Sequence, residues 1–278
     1  MTHAPVDGLG AEPRARFLDL VAAEWIKLRS LRSTWIAYGV TALAVIAFNA
    51  GTAYDTYTYW AQRSAADRAD YVRAGIALRE AFTANAAMVM MLALGAIGAL
   101  AIIGEYSTGT IRTTFAAVPA RRSVMAAKTV VVTAVGTVFG AFVAGASFVL
   151  TQAILDGRDA GLPMSHPGAL RVVVASALLA PVCAVVGMAI GTVIRHTSAT
   201  MIASVVVILV LPIVFTEGRH WSAVAGHATL YQSWSRLVEV GPRRTDFPWT
   251  TGGAWTVYAV WALTASVLAV TSAQRRDH

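Results

Sequence analysis

The sequence predicts an all-α integral membrane protein with six transmembrane helices and an N-terminal amphipathic helix at the membrane surface. Two observations support this fold class. The chain of 278 residues is 56% hydrophobic and 13% charged, whereas soluble domains carry roughly 25% charged residues. Its apolar residues are also grouped into blocks of about the length that a bilayer requires, ~17 to 25 residues. Both features indicate a chain that folds in lipid.

The segment before the first apolar block divides into two parts. Residues 1–13 are polar and rich in Ala, Gly and Pro, which predicts a disordered tail. Residues 14–33 place Phe17, Leu20 and Leu28 at helical spacing, with charged residues largely on other faces. This pattern predicts an amphipathic connecting helix that lies in the interface. Its candidate interfacial residues are Glu24, Trp25, Lys27, Arg29 and Arg32.

Six spans are predicted within one membrane domain, residues 34–278. They cover residues 34–53, 84–103, 124–150, 172–194, 199–215 and 254–270. The first begins too late in the chain for an ordinary cleaved signal, so we expect it to remain in the membrane. Only Arg195 to Ser198 separate the fourth and fifth spans, which requires an antiparallel helical hairpin. Lys128 lies near the start of the third span, and we expect its stem to reach back to the interface.

Small residues predict close helix packing in two of the spans. Gly136 and Gly140 form one Gly-x-x-x-Gly step, and Gly187 and Gly191 form another. Such steps allow helix backbones to approach each other, either within one chain or between subunits. Pro181 is expected to kink the fourth span, because proline removes a backbone donor.

The distribution of basic residues predicts the orientation of the chain. Lys27, Arg29 and Arg32 precede the first span, and Arg275 and Arg276 follow the last. Because Lys and Arg are in excess on the cytoplasmic side, both termini of this multi-pass protein are expected to be cytoplasmic, in the cell (plasma) membrane. The long outer connections, residues 54–83 and 217–253, are rich in aromatic residues, which indicates an aromatic belt or, alternatively, an outer gate.

Several kinds of chemistry are not indicated by the sequence. The formal charge of +7 comes from residues near the ends of the apolar blocks, which favours membrane orientation over nucleic-acid binding. The sequence has no Gly-x-x-x-x-Gly-Lys-Ser/Thr phosphate loop and no zinc-ligand spacing among its histidines. Its single cysteine, Cys183, lies in an apolar block. We therefore expect no catalytic residue, metal or bound cofactor in this chain.

The connector between the second and third spans is the strongest functional signal. It runs from Gly104 to Thr114 and continues through Pro119 to a basic pair. Glu105 directly follows the apolar block, and Gly109 permits a sharp turn. These features predict a polar elbow with a short helix that docks a second protein, although a solvated loop is the simpler alternative.

Two motifs in this order resemble a known family. They are Glu24-Trp25-Ile26-Lys27-Leu28-Arg29-Ser30 before the first span and Glu105-Tyr106-Ser107-Thr108-Gly109-Thr110-Ile111-Arg112 after the second. Together with the six-span layout, they resemble the membrane subunits of type 2 ATP-binding-cassette (ABC) exporters, particularly actinobacterial permeases encoded apart from their ATPase. The resemblance implies a permease that contacts two copies of an ABC ATPase and a second copy or a related permease.

The resemblance also implies roles for individual residues. ATP and Mg would be bound by the ATPase, and the permease would export an amphipathic or hydrophobic substrate whose binding residues the sequence does not indicate. The implied ATPase-coupling residues are Glu105, Gly109, Thr110, Arg112, Pro119, Arg121 and Arg122. Glu105 would pair with an ATPase group, and the arginines would meet acidic ATPase surface or anionic membrane lipid. A membrane scaffold or signalling subunit and an ion-coupled carrier are the alternative functions, although the spans lack the buried ionisable residues that carriers commonly use.

Overall fold

The computed structural model of the chain describes residues 16–215, 219–240 and 247–272. These ranges contain helices and no strand. Six helical segments in them are long and apolar enough to cross a membrane. The all-α fold class and the six spans are therefore confirmed. The predicted disordered tail, Arg14, Arg275 and Arg276 lie outside the described residues.

The helices follow one another with short connections. In chain order they are α1 (Phe17–Ser30), α2 (Arg32–Tyr59), α3 (Ala65–Arg73), α4 (Ile76–Glu80), α5 (Ala84–Ser107), α6 (Thr110–Ala117), α7 (Arg121–Asp156), α8 (Ala169–Ile194), α9 (Thr197–Val205), α10 (Leu211–Val214), α11 (His220–His227), α12 (Leu230–Val238) and α13 (Thr251–Thr271). A 3-10 turn, Trp60–Gln62, extends α2, and a π-helical turn, Val206–Val210, joins α9 to α10. The spans are α2, α4 with α5, α7, α8, α9 with α10, and α13.

The spans are longer than their apolar blocks. The α2 helix continues to Tyr59, beyond the predicted end at residue 53, and α7 reaches Asp156, beyond the predicted residue 150. Hydropathy marks only the part of a helix that lies in lipid, whereas the helix itself continues into the interface. The amphipathic helix is shorter than predicted, because the chain breaks at Leu31 and α2 begins at Arg32.

The α5 and α8 helices form the centre of the bundle, and their backbones touch. A Cβ atom added to Gly187 would lie 1.8 Å from the carbonyl oxygen of Gly95, and one added to Gly98 would lie 1.8 Å from that of Ala184. These distances leave no room for a side chain. Gly98 in α5 and Gly187 in α8 therefore allow the backbones of the two helices to touch.

The other predicted glycine positions also lie against helices of the same chain. A Cβ atom at Gly140 would lie 2.0 Å from the carbonyl oxygen of Ala177 in α8, and one at Gly136 would lie 2.9 Å from the Cα atom of Pro181. On the other side of α8, a Cβ atom at Gly191 would lie 2.7 Å from the side chain of Ile102. The α8 helix is thus held between α5 and α7.

A polar network joins α2, α5 and α7 at the end of the bundle where α5 begins. The Asn49 amide in α2 donates a hydrogen bond to the hydroxyl of Ser147 in α7, at 3.0 Å. Its oxygen accepts hydrogen bonds from the backbone N–H and the hydroxyl of Thr83, at 2.9 and 3.0 Å. Asn49 is completely buried. The Ser147 hydroxyl and the N–H and hydroxyl of Thr83 therefore make these hydrogen bonds to one buried side chain.

We expect Asn49→Leu to lower the free energy of unfolding by about 1 to 3 kcal/mol, since it leaves buried polar groups unsatisfied. Unfolding in mixed micelles measures this difference. Thr52→Val is the matched control, because Thr52 is exposed on the same helix and bonds only to the Phe48 carbonyl of its own helix. Equal losses in the two variants would contradict a specific role for the network.

Candidate functional site

The polar elbow forms at one end of the bundle, between α5 and α7. The α5 helix ends at Ser107, and Gly109 adopts a left-handed conformation with φ +73° before α6 begins at Thr110. An L-residue rarely adopts this conformation, which is the physical reason for glycine at this position. The turn is closed by a hydrogen bond from the Gly109 N–H to the Tyr106 carbonyl, at 3.3 Å. The turn places α6 as a separate short helix.

The α6 helix has an inner and an outer face. Ile111 is buried, and Phe115 packs against a small apolar cluster formed by Leu20, Val124 and Ala127. Thr113, Ala116 and Ala117 are exposed on the outer face, together with Arg112. Since Leu20 belongs to α1 and Val124 to α7, the inner face joins three helices while the outer face is available for a partner.

Four charged side chains meet just inside the elbow. Lys128 lies 2.5 Å from Glu24 and 2.9 Å from Glu105. Lys27 lies 2.8 Å from Glu24 and 3.3 Å from Glu105. Each lysine therefore contacts both glutamates, and the two positive and two negative charges compensate each other. We call these four residues the charge cluster.

The members of the charge cluster differ in burial. The side chains of Glu24 and Lys128 are 5% and 6% exposed, whereas that of Lys27 is 35% exposed. Burial lowers the pKa of Lys27, but its hydrogen bond to Glu24 and the charge of Glu105 outweigh that effect, and the pKa is raised above its ordinary value. Glu105 lies in the last turn of α5, where the helix dipole disfavours a negative charge. The two lysines compensate that charge.

The charge cluster changes the interpretation of two sequence predictions. Lys128, which was expected to reach back to the interface, is buried between the carboxylates of Glu24 and Glu105. Glu105 finds two basic groups within its own chain, so it needs no basic ATPase group to compensate its charge. Glu105 thus connects the elbow to α1, and one predicted coupling residue meets two predicted interfacial residues, Glu24 and Lys27, in this cluster.

The remaining predicted residues lie around this site. Thr110 begins α6, and its hydroxyl lies 2.8 Å from that of Thr108. Arg121 begins α7 and stacks over the ring of Phe115, at 5.2 Å. Trp25 contacts Trp35 edge to face, with ring centroids 6.5 Å apart. The exposed predicted residues are Trp25, Arg29, Arg32, Thr110, Arg112, Pro119 and Arg122.

Glu24 faces the bundle, which was not predicted from the sequence. A signal for this was present, because Leu20, Glu24 and Leu28 recur every four residues and so share one helix face. All three are buried in the structure. A single carboxylate in an otherwise apolar stripe requires a basic partner, and Lys128 is the matching charge at the start of a span.

The turn between α8 and α9 lies at the same end of the bundle as the elbow. The guanidinium of Arg195 stacks on the ring of Tyr106 in α5, at 4.9 Å. It also donates a hydrogen bond to the carbonyl of Ser272, after α13, at 3.1 Å. Since Arg195 also ends α8, one basic residue connects the elbow end of α5 to α8 and α13.

The fold and this site define a multi-pass membrane protein that has a short, partly exposed helix at one end of its bundle. Residues 18–229 match the family model described as ABC-2 family transporter protein. The match covers most of the chain, and the chain belongs to this family. It is thus a permease subunit of an ABC transporter, and its family associates with an ABC ATPase. Comparison with curated proteins found no match.

Proposed function

We propose that the chain is the transmembrane subunit of an ATP-driven exporter and that α6 receives the movement of a separately encoded ATPase. The observation that supports this role is the two-faced geometry of α6. Its outer face is exposed, whereas Phe115 on its inner face contacts the cluster around Leu20 and Val124. A force on the outer face would therefore reach α1 and α7 directly.

The charge cluster provides the second connection. Glu105 in α5 contacts Lys128 in α7 and Lys27 in α1, so the three helices are joined just behind α6. In the proposed mechanism, closure of the ATPase on ATP pushes α6, and the joined helices tilt the first, second and fifth spans. Access to the substrate pathway then changes at the interface between two permease subunits.

The complete exporter would contain two permease subunits and two ATPase subunits, with ATP and Mg on the ATPase. The second permease is a copy of this chain or a related chain. Both termini and α6 would face the cytoplasm, on the side that holds Lys27 and Arg112. The cargo would be an amphipathic or hydrophobic molecule that leaves the cell.

The test is co-purification of the tagged chain with the ATPase encoded beside it. We expect Arg112→Glu on the outer face of α6 to reduce recovery of the ATPase by about tenfold or more, as for loss of one important interface contact. The matched control is Arg79→Glu, a charge reversal at an exposed position of α4, at the opposite end of the second span. It should leave recovery unchanged.

Three other outcomes would reject the proposal. If the unaltered chain does not retain the ATPase, the chain does not act with this partner. If the complex forms but reconstituted vesicles export nothing when ATP is hydrolysed, the chain serves as a membrane scaffold. Equal losses from both charge reversals would show that α6 is not the contact site.

A further inference from the structure

A cavity of about 540 Å³ opens between α1, α2, α5 and α7, next to the charge cluster. Most of its wall is apolar and belongs to the spans, with Ala37, Tyr38, Ile97, Leu100, Ala101 and Val131 among the lining residues. All four members of the charge cluster line the polar end. The cavity therefore combines a mainly apolar wall with a charged cluster, which is the polarity of an amphiphile.

The two oxygens of Glu105 differ in a way that indicates the charge of a ligand. Its Oε1 atom accepts hydrogen bonds from both Lys27 and Lys128. Within the described ranges, its Oε2 atom accepts none, although the residue lines the cavity. An ionised carboxylate can accept several hydrogen bonds, so Glu105, which lines the cavity, has unused acceptor capacity.

The two lysines differ in how readily they can leave. Lys128 is buried and bonds to both carboxylates over short distances. Lys27 is more exposed, belongs to the surface helix α1, and makes the longest contact of the cluster, 3.3 Å to Glu105. Its flexible stem can swing towards solvent. Without Lys27, the remaining two carboxylates and one ammonium would carry one uncompensated negative charge.

We propose that this cavity binds an amphiphile with a primary ammonium group and an apolar chain. The ligand ammonium takes the place of Lys27 at Glu105, and the chain lies between α2 and α5. An anionic headgroup would face two carboxylates, and a neutral headgroup would not release Lys27. This binding needs no ATPase, so it can fail or succeed independently of the proposed function.

The experiment uses the purified full chain in nanodiscs of zwitterionic lipid, with empty nanodiscs as the background. Equilibrium dialysis measures binding of dodecylammonium, dodecanoate and dodecanol, which share one chain length. We expect saturable binding of dodecylammonium alone. Glu105→Gln should weaken it by about tenfold or more, the effect of losing one charge-assisted hydrogen bond. Lys27→Met should strengthen it, because the competing ammonium is removed.

Two further variants test the apolar body of the cavity. Ala101→Phe would fill it and should abolish saturable binding. Ala47→Phe adds the same ring to an exposed position of α2 and should bind dodecylammonium as the unaltered chain does. The gain expected for Lys27→Met separates the proposal from misfolding, which can only weaken binding.

Three results would overturn the proposal. Stronger binding of dodecanoate would indicate an anion site. Equal binding of all three probes would indicate a groove for lipid chains that does not select charge. Unchanged dodecylammonium binding in both Glu105→Gln and Ala101→Phe would place the ligand elsewhere on the chain.

Discussion

Lys128→Met is expected to lower the free energy of unfolding by about 3 to 5 kcal/mol, the range for removal of one member of a buried ion pair. Methionine has nearly the same length, so the loss is mainly that of the ammonium group. Glu24 then loses its contact at 2.5 Å, and Glu105 loses its contact at 2.9 Å. Because Glu24 is buried, its charge would be left with Lys27 alone.

Unfolding in mixed micelles measures the effect, and Lys27→Met is the control with the same change. We expect a smaller loss in the control, since Lys27 is 35% exposed and solvent screens its interactions. A double variant, Glu24→Gln with Lys128→Met, should be more stable than the sum of the single effects predicts, because it removes both charges of one contact. Equal losses in the two lysine variants would show that burial does not set the importance of each charge.

The spans could be predicted from the sequence because the bilayer imposes a simple rule. Every backbone polar group in lipid must be satisfied within the chain, so a sufficiently long apolar block forms a helix. This rule located α5, α8 and α13 to within a few residues at their apolar ends. It did not locate the ends of α2 and α7, because these helices continue beyond their apolar blocks.

The charge cluster could not be assembled from the sequence by the same reasoning. Glu24, Glu105 and Lys128 lie on three different helices, so their contact depends on how α1, α5 and α7 pack. Local pattern placed Glu105 and Lys128 at the edges of apolar blocks and Glu24 in the predicted interfacial helix, where charged residues that extend to water are common. Only the packing distinguishes a charge that extends to water from one that is buried with a partner.

The same limit applies to the glycines. The sequence indicated Gly187 and Gly191 as packing positions, but it did not indicate what they pack against. The structure places Gly95 opposite Gly187, and Ala184 opposite Gly98. Small residues on two helices must face each other for backbones to touch, and this pairing is a property of the tertiary structure.

Gly187→Ala is expected to be as damaging as loss of a buried charge, although it adds only one methyl group. The new Cβ atom would lie 1.8 Å from the carbonyl oxygen of Gly95 and 2.7 Å from its carbonyl carbon. Backbone atoms in the middle of a helix cannot move aside as the end of a flexible side chain can. The α5 and α8 helices must therefore separate, and overpacking of this kind costs about 3 kcal/mol or more.

Separation of these two helices would also displace the elbow, because Glu105 lies at the end of α5. We expect Gly187→Ala to lower the free energy of unfolding and to reduce recovery of the ATPase complex. Gly145→Ala is the matched control, since a Cβ atom at Gly145 meets nothing within 4 Å. The control should retain the stability of the unaltered chain. If the Gly187 variant were equally stable, the α5 and α8 backbones could not be in the close contact that organises this bundle.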